Sequence, residues 1–163
     1  MKVVCFHNPD EQNGYLSNWY HSEFMIDYIG FSSMEQYMMY RKAMLFKDKE
    51  TANKILKTND VRYIKELGRS VRNFDEKIWV QYREEIVYTG LYAKFSQNVK
   101  LKEKLLKTGD AILAECAVKD KIWGIGLSMK DERNQNPNEW RGLNLLGKNL
   151  MKVRQELRMW QNM

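Results

Sequence analysis

The stretch Gly30-Phe31-Ser32-Ser33-Met34-Glu35-Gln36-Tyr37-Met38-Met39-Tyr40-Arg41-Lys42-Ala43 runs from a loop ending in two serines into a helix that is mostly apolar. A helix hydrophobic on nearly every side is normally buried, so its acid and bases must be paired or face a cleft. Residues three and four apart share a helix face. Glu35, Met39 and Lys42 therefore form one stripe, with acid and amine about 10 Å apart along the axis at roughly 1.5 Å per residue.

Two cap assignments remain open. With Ser32 as N-cap, Glu35 is the third helical residue and closes a capping box. With Ser33 as N-cap, Gln36 takes that part and the Glu35 carboxylate is available. Lys42 likewise reads either as a snorkelling lysine with its head in water or as a group in a site.

The 163 residues suit one domain, 1–163, with one sizeable core. The net charge of +6 favours anionic partners such as phosphates, nucleotides or nucleic acid, without selecting among them. Cys5 and Cys116 are far apart and lack metal-ligand spacing, which argues for reduced thiols and a cytoplasmic protein. With His7 and His21 the only histidines, neither a histidine zinc site nor a Ser-His-Asp triad has much material, and no metal is expected. Met1 to Phe6 is too short for a signal peptide and no run approaches a membrane span.

Along the chain, Lys2 to Phe6 reads as a strand, followed by a loop through Asn8-Pro9-Asp10 and Asn13-Gly14. In Tyr15-Leu16-Ser17-Asn18-Trp19-Tyr20 the rings are either core or a pocket wall, with Asn18 as its hydrogen-bonding group. Glu23 to Phe31 is extended. Asp48 caps a second helix to about Leu56, and Asn59 or Asp60 a third that stops at Gly68. Arg69 then serves either the helix dipole or a phosphate.

Asp75 opens the longest periodic segment, in which Trp79 is a core residue or a stacking platform. A short basic helix from Leu101 to Lys107 stops at Thr108-Gly109-Asp110, and Ala111 to Ala117 makes a strand. Asp120 falls in a turn just before Trp123, where it satisfies local amides or serves a ligand. Gly124 and Gly126 permit close approach to the backbone but form no phosphate loop. The polar stretch from Met129 to Glu139 reads as a surface loop with the makings of a lid, and an amphipathic helix through Leu145, Leu150 and Leu157 closes the chain. The architecture is α+β, a single mainly helical domain with a small antiparallel sheet.

Tyr15 to Tyr20, Phe31 to Met38, Lys42-Ala43, Leu67-Gly68-Arg69, Trp79, Ala93-Lys94-Phe95, Leu106 to Gly109, Asp120 to Gly126 and Gly142 with Asn144 to Gly147 together resemble the NADAR, or YbiA-like, family. The resemblance runs in order from about Tyr15 to Arg154. It implies an N-glycosidase that cleaves the C–N bond between a ribose carbon and an amine or base. The substrates it suggests are ribosylamino-pyrimidine phosphates of early riboflavin biosynthesis or ADP-ribose on guanine in nucleic acid. It also puts Glu35, Trp79, Asp120 and Trp123 at functional positions, and matches Lys42 to a lysine proposed to attack the ribose.

That chemistry suits these residues. Glu35 would stabilise positive charge on the ribose ring and supply a proton, and a desolvated Lys42 would form a Schiff base with C1 of the opened sugar. Asp120 would orient ribose hydroxyls or activate water. Trp79 and Trp123 would stack on the planar ring, Arg69 would hold phosphate, and Asn18 and Trp19 would line the pocket. No step calls for a metal or redox cofactor. A non-catalytic reader of ADP-ribose or nucleic acid is the competing class, and it predicts binding without turnover.

Overall fold

Ser33 is the N-cap of helix α1 (Met34–Leu45), its hydroxyl accepting the Gln36 amide at 3.1 Å. The Gln36 side chain reaches back to accept the Ser32 amide at 2.7 Å, so the capping role falls to Gln36 and not to Glu35. In the computed structural model, which describes residues 1–163, contacts separate into two units. A central unit comprises His21–Gln97, and a terminal unit comprises Met1–Tyr20 with Asn98–Met163.

The central unit is built around α1. The hairpin of β2 (His21–Ile26) and β3 (Ile29–Ser33) is antiparallel and leads directly into it. Helices α2 (Lys49–Leu56), α3 (Val61–Arg69) and α4 (Glu76–Ser96) pack around α1, whose residues Met34 to Met39 and Ala43 are all buried. The three start at aspartates: Asp48, Asp60 and Asp75 each accept amides of the first turn. Phe24, Phe31 and Tyr37 interlock with centroids 5.0–6.0 Å apart. Gly90 of α4 lets this cluster close, since a Cβ there would stand 2.6 Å from the Tyr37 ring and 2.7 Å from the Met34 sulfur.

In the terminal unit, β1 (Val3–Phe6) pairs with β4 (Ile112–Glu115) in parallel, Val3 opposite Ile112 and Phe6 opposite Glu115. The small antiparallel sheet expected from sequence is thus joined by a two-stranded parallel one. Helices α5 (Val99–Lys107) and α6 (Leu145–Gln161) complete this unit. Asn144, in the left-handed region at φ 53°, lies beside β4, donating to Leu113 O at 2.9 Å and accepting the Glu115 amide at 3.1 Å. Val3, Ala114, Cys116, Ile125 and Leu127 form a core here, with the Cys5 side chain against it. Both cysteines are free thiols. No helix is long and apolar enough to cross a membrane.

The 129–139 region differs from a plain polar loop. Two short 3-10 turns, Glu132–Gln135 and Pro137–Glu139, organise it around buried Asn134. The Asn134 side-chain amide donates to Ser128 O and Met129 O, and the backbone carbonyl of Asn134 accepts Trp140 Nε1 at 2.9 Å. The segment is tied to its own flanks.

Candidate active site

In the central unit α1 carries Glu35 and Lys42 on one face, Glu35 5% exposed and Lys42 half-buried. Burial pushes the Lys42 ammonium below its ordinary range, because removing a cation from water favours the neutral amine. Glu35 opposes that shift most, Arg69 reinforces it, and Glu76 opposes it more weakly. Each of these charges lies close enough to act on the amine. Lys42 Nζ also stands 4.5 Å from the Phe74 ring centroid and 5.9 Å from that of Trp79.

Three of the residues singled out from sequence, Glu35, Arg69 and Trp79, therefore gather around the amine of a fourth, Lys42. Each reaches it from a defined element. Glu35 and Lys42 are two turns apart on α1, Arg69 is the last residue of α3, and Trp79 sits in the first turns of α4 with 8% exposure. Arg69 is exposed, which leaves its guanidinium accessible to an anion. Trp79 is buried, so its ring is a wall rather than an open platform.

The other four lie in the terminal unit. Asp120 Oδ1 accepts the amides of Ile122 at 3.0 Å and Trp123 at 2.8 Å, so this oxygen shapes the turn that carries Trp123. Trp123 is half-buried. Asn18 is 6% exposed, yet its Oδ1 receives no hydrogen bond, and a buried amide oxygen without a donor calls for water or a ligand group. Trp19 is half-buried, its backbone amide held by Ser17 Oγ at 3.1 Å.

Three groups escaped the sequence reading. Phe74 and Glu76 border Lys42 but stand in and just after a loop that carries no motif of its own. Lys94, fully buried in α4, has its pKa pushed down to about 7 by desolvation. Its signal was the Ala93-Lys94-Phe95 motif of the resemblance, which gives the lysine no role and does not announce its burial.

A carboxylate, an amine of lowered basicity, an accessible guanidinium and aromatic walls form a set suited to acid–base and amine chemistry on an anionic substrate with a planar group. Residues 5–158 match the NADAR domain. The chain is 41% identical over 163 residues to an N-glycosidase of Acanthamoeba polyphaga mimivirus, covering 95% of this chain and 96% of the relative. It is 32% identical over 154 residues to a riboflavin biosynthesis protein of Vibrio vulnificus, covering 94% of this chain and 38% of that protein. The NMR structure of Escherichia coli YbiA superposes with a TM-score of 0.82 at 25% identity, over 98% of this chain and 87% of that one.

Proposed function

This chain belongs to the NADAR family and is a hydrolase acting on N-glycosyl bonds, and on that premise we propose that it releases the amine from a ribosylamino-pyrimidine phosphate, with Glu35 and Lys42 as its catalytic residues. The observation that carries the reading is the half-buried Lys42 amine, lowered in basicity and flanked by Glu35 on the same helix face. The similarity to a riboflavin biosynthesis protein supports the choice of substrate.

In this reading Glu35 protonates the ribose ring oxygen, and the ring opens to an iminium between C1 and the substrate nitrogen. Neutral Lys42 Nζ adds to C1, and the substrate amine leaves carrying a proton. Water then adds to the lysine imine, which releases the sugar phosphate as its aldehyde and restores the amine. The sum is one water consumed and one C–N bond cleaved. Arg69 holds the phosphate through charge-assisted hydrogen bonds, and Trp79 walls the planar ring. Asn18 takes its substrate-binding role from the motif resemblance. Trp19, Asp120 and Trp123 take their substrate roles from the motif resemblance, Asp120 orienting ribose hydroxyls or water.

The test offers ribosylamino-pyrimidine 5-phosphates and guanine-ADP-ribosylated DNA in parallel to the purified protein and to Glu35→Gln and Lys42→Ala, with borohydride added to trap an imine. Turnover of the pyrimidine, lost in both variants, with an adduct that requires Lys42, supports the reading. Turnover of the DNA alone makes the protein an ADP-ribosyl-guanine hydrolase. Binding without any turnover makes it a reader.

A further inference from the structure

Asn73 adopts the left-handed conformation at φ 62°, a region asparagine tolerates better than most residues. The backbone then delivers Phe74, whose side chain is 43% exposed. Phe74 is nonetheless held. Phe46, the C-cap residue of α1, packs edge-on against it with centroids 5.3 Å apart and planes at 70°. On the ring lies the Lys42 ammonium, 4.5 Å from the centroid, and Trp79 offers the same amine a second, more distant ring at 5.9 Å.

The attraction between an amine and a ring face depends on charge, since the ring quadrupole attracts a cation and has no comparable hold on a neutral amine. We propose that Phe74 is a positioning residue for Lys42: its ring grips the protonated side chain and releases the neutral one, so that losing the proton frees the amine to reach its carbon. The consequence for turnover rests on the imine reading above, whereas the grip itself does not. The charged groups that face Lys42 are Glu35 from α1, Arg69 from the end of α3 and Glu76 from the first turn of α4. Glu35 and Glu76 favour the ammonium as Phe74 does, and Arg69 opposes it. Burial acts against the ammonium with the largest weight, so the ring helps keep the side chain charged and held until a proton acceptor removes the charge.

Leucine at position 74 keeps apolar cover and removes the quadrupole, whereas tryptophan deepens it. The experiment is competitive acetylation of Lys42 by acetic anhydride, from about pH 6 to about pH 10, read by mass spectrometry on the full chain. We expect Phe74→Leu to lower the Lys42 pKa by about half a unit and to speed its labelling near neutrality. Phe74→Trp should hold or raise it, giving a graded order that follows ring strength. An unchanged or raised pKa in the leucine variant would mean that the ring only excludes water, and the proposal would fall. Should the leucine variant not fold, the tryptophan variant decides alone, a lowered pKa there being the overturning result. Labelling needs no turnover, so absence of hydrolysis in the unmodified protein would overturn the glycosidase reading and leave this measurement standing.

Discussion

The Glu35 carboxylate raises the proton affinity of Lys42, two helical turns further along the same face of α1, against the burial that lowers it. Arg69 works in the opposite sense. Neutralising the acid therefore lowers the Lys42 pKa further, and removing the guanidinium raises it. Nitrogen NMR of lysine-labelled protein should show a downward shift in Glu35→Gln and an upward one in Arg69→Ala. Shifts of the same sign in both variants would mean that the charges do not act directly on the amine.

The catalytic assignment separates charge from nucleophilicity at position 42. Lys42→Arg keeps a cation there but cannot form an imine, because guanidinium stays protonated at any working pH. Turnover in that variant should vanish together with the borohydride adduct. Glu35→Gln should lose about 10²- to 10⁴-fold in kcat through loss of proton transfer. Retained turnover in Lys42→Arg would assign the lysine to electrostatics and move the covalent role elsewhere.

Asp48 is 1% exposed and serves three groups: it accepts the Thr51 amide at 3.1 Å as N-cap of α2, and the Arg72 amide and guanidinium, each at 2.9 Å. The hydrogen bonds from Arg72 hold its carboxyl well below the usual carboxylate range. A depressed folded-state pKa contributes stability that is fully present above the unfolded value of 3.8 and is lost as pH falls below it. Asp48→Ala should cost about 1–3 kcal/mol in urea unfolding at neutral pH. It should also blunt the acid limb of the stability curve. An unchanged midpoint would show that water replaces the carboxylate at no cost.

Gly142 lies where backbone meets backbone. A Cβ there would collide with Gly124 O and come within 2.9 Å of Ile125 C and Lys121 Cα, none of which can rotate away. The segment it would displace carries Trp123, and Leu143 and Leu146 donate their amides to Lys121 O and Trp123 O across the same seam. Gly142→Ala should cost about 1–3 kcal/mol, whereas Gly30→Ala, with nothing within 4 Å, should leave the melting temperature nearly unchanged. Equal effects at the two glycines would sink the packing argument.

What was legible in the chain was local. The caps at Asp48, Asp60 and Asp75 bond to amides two or three residues on, so their spacing alone announces the helices. The stripe that holds Glu35 and Lys42 follows from helical periodicity. The hairpin turn was harder to see, because Asp27 and Tyr28 both take positive φ, 51° and 66°, where Asn-Gly would have advertised the turn. The parallel pairing of β1 with β4 joins the start of the chain to residues beyond α5, and no local pattern encodes a partner at that separation. Phe74 was hidden for a related reason: its place beside Lys42 depends on a left-handed Asn73 and on how the 71–75 loop folds back.

Lys94 enters the sequence reading only within the Ala93-Lys94-Phe95 motif of the family resemblance, without a role of its own, and its complete burial sets the last expectation. Desolvation lowers its pKa from 10.5 to about 7 in the folded chain. Below about pH 7 the amine is charged in both states and the folded state bears the full desolvation penalty. Between 7 and 10.5 the unfolded chain still holds the proton while the folded chain has released it, so the stability from this group climbs with pH. Substituting methionine removes the titration while keeping an unbranched side chain. Urea unfolding of wild type and Lys94→Met across this window should give curves whose difference rises with pH, by at most about 1.4 kcal/mol per unit for one proton. Other amines, thiols and phenols titrate over the same range, but they are common to both proteins and cancel in the difference. Parallel curves would mean that Lys94 keeps its proton in the folded chain, its charge balanced by neighbours strongly enough to offset burial.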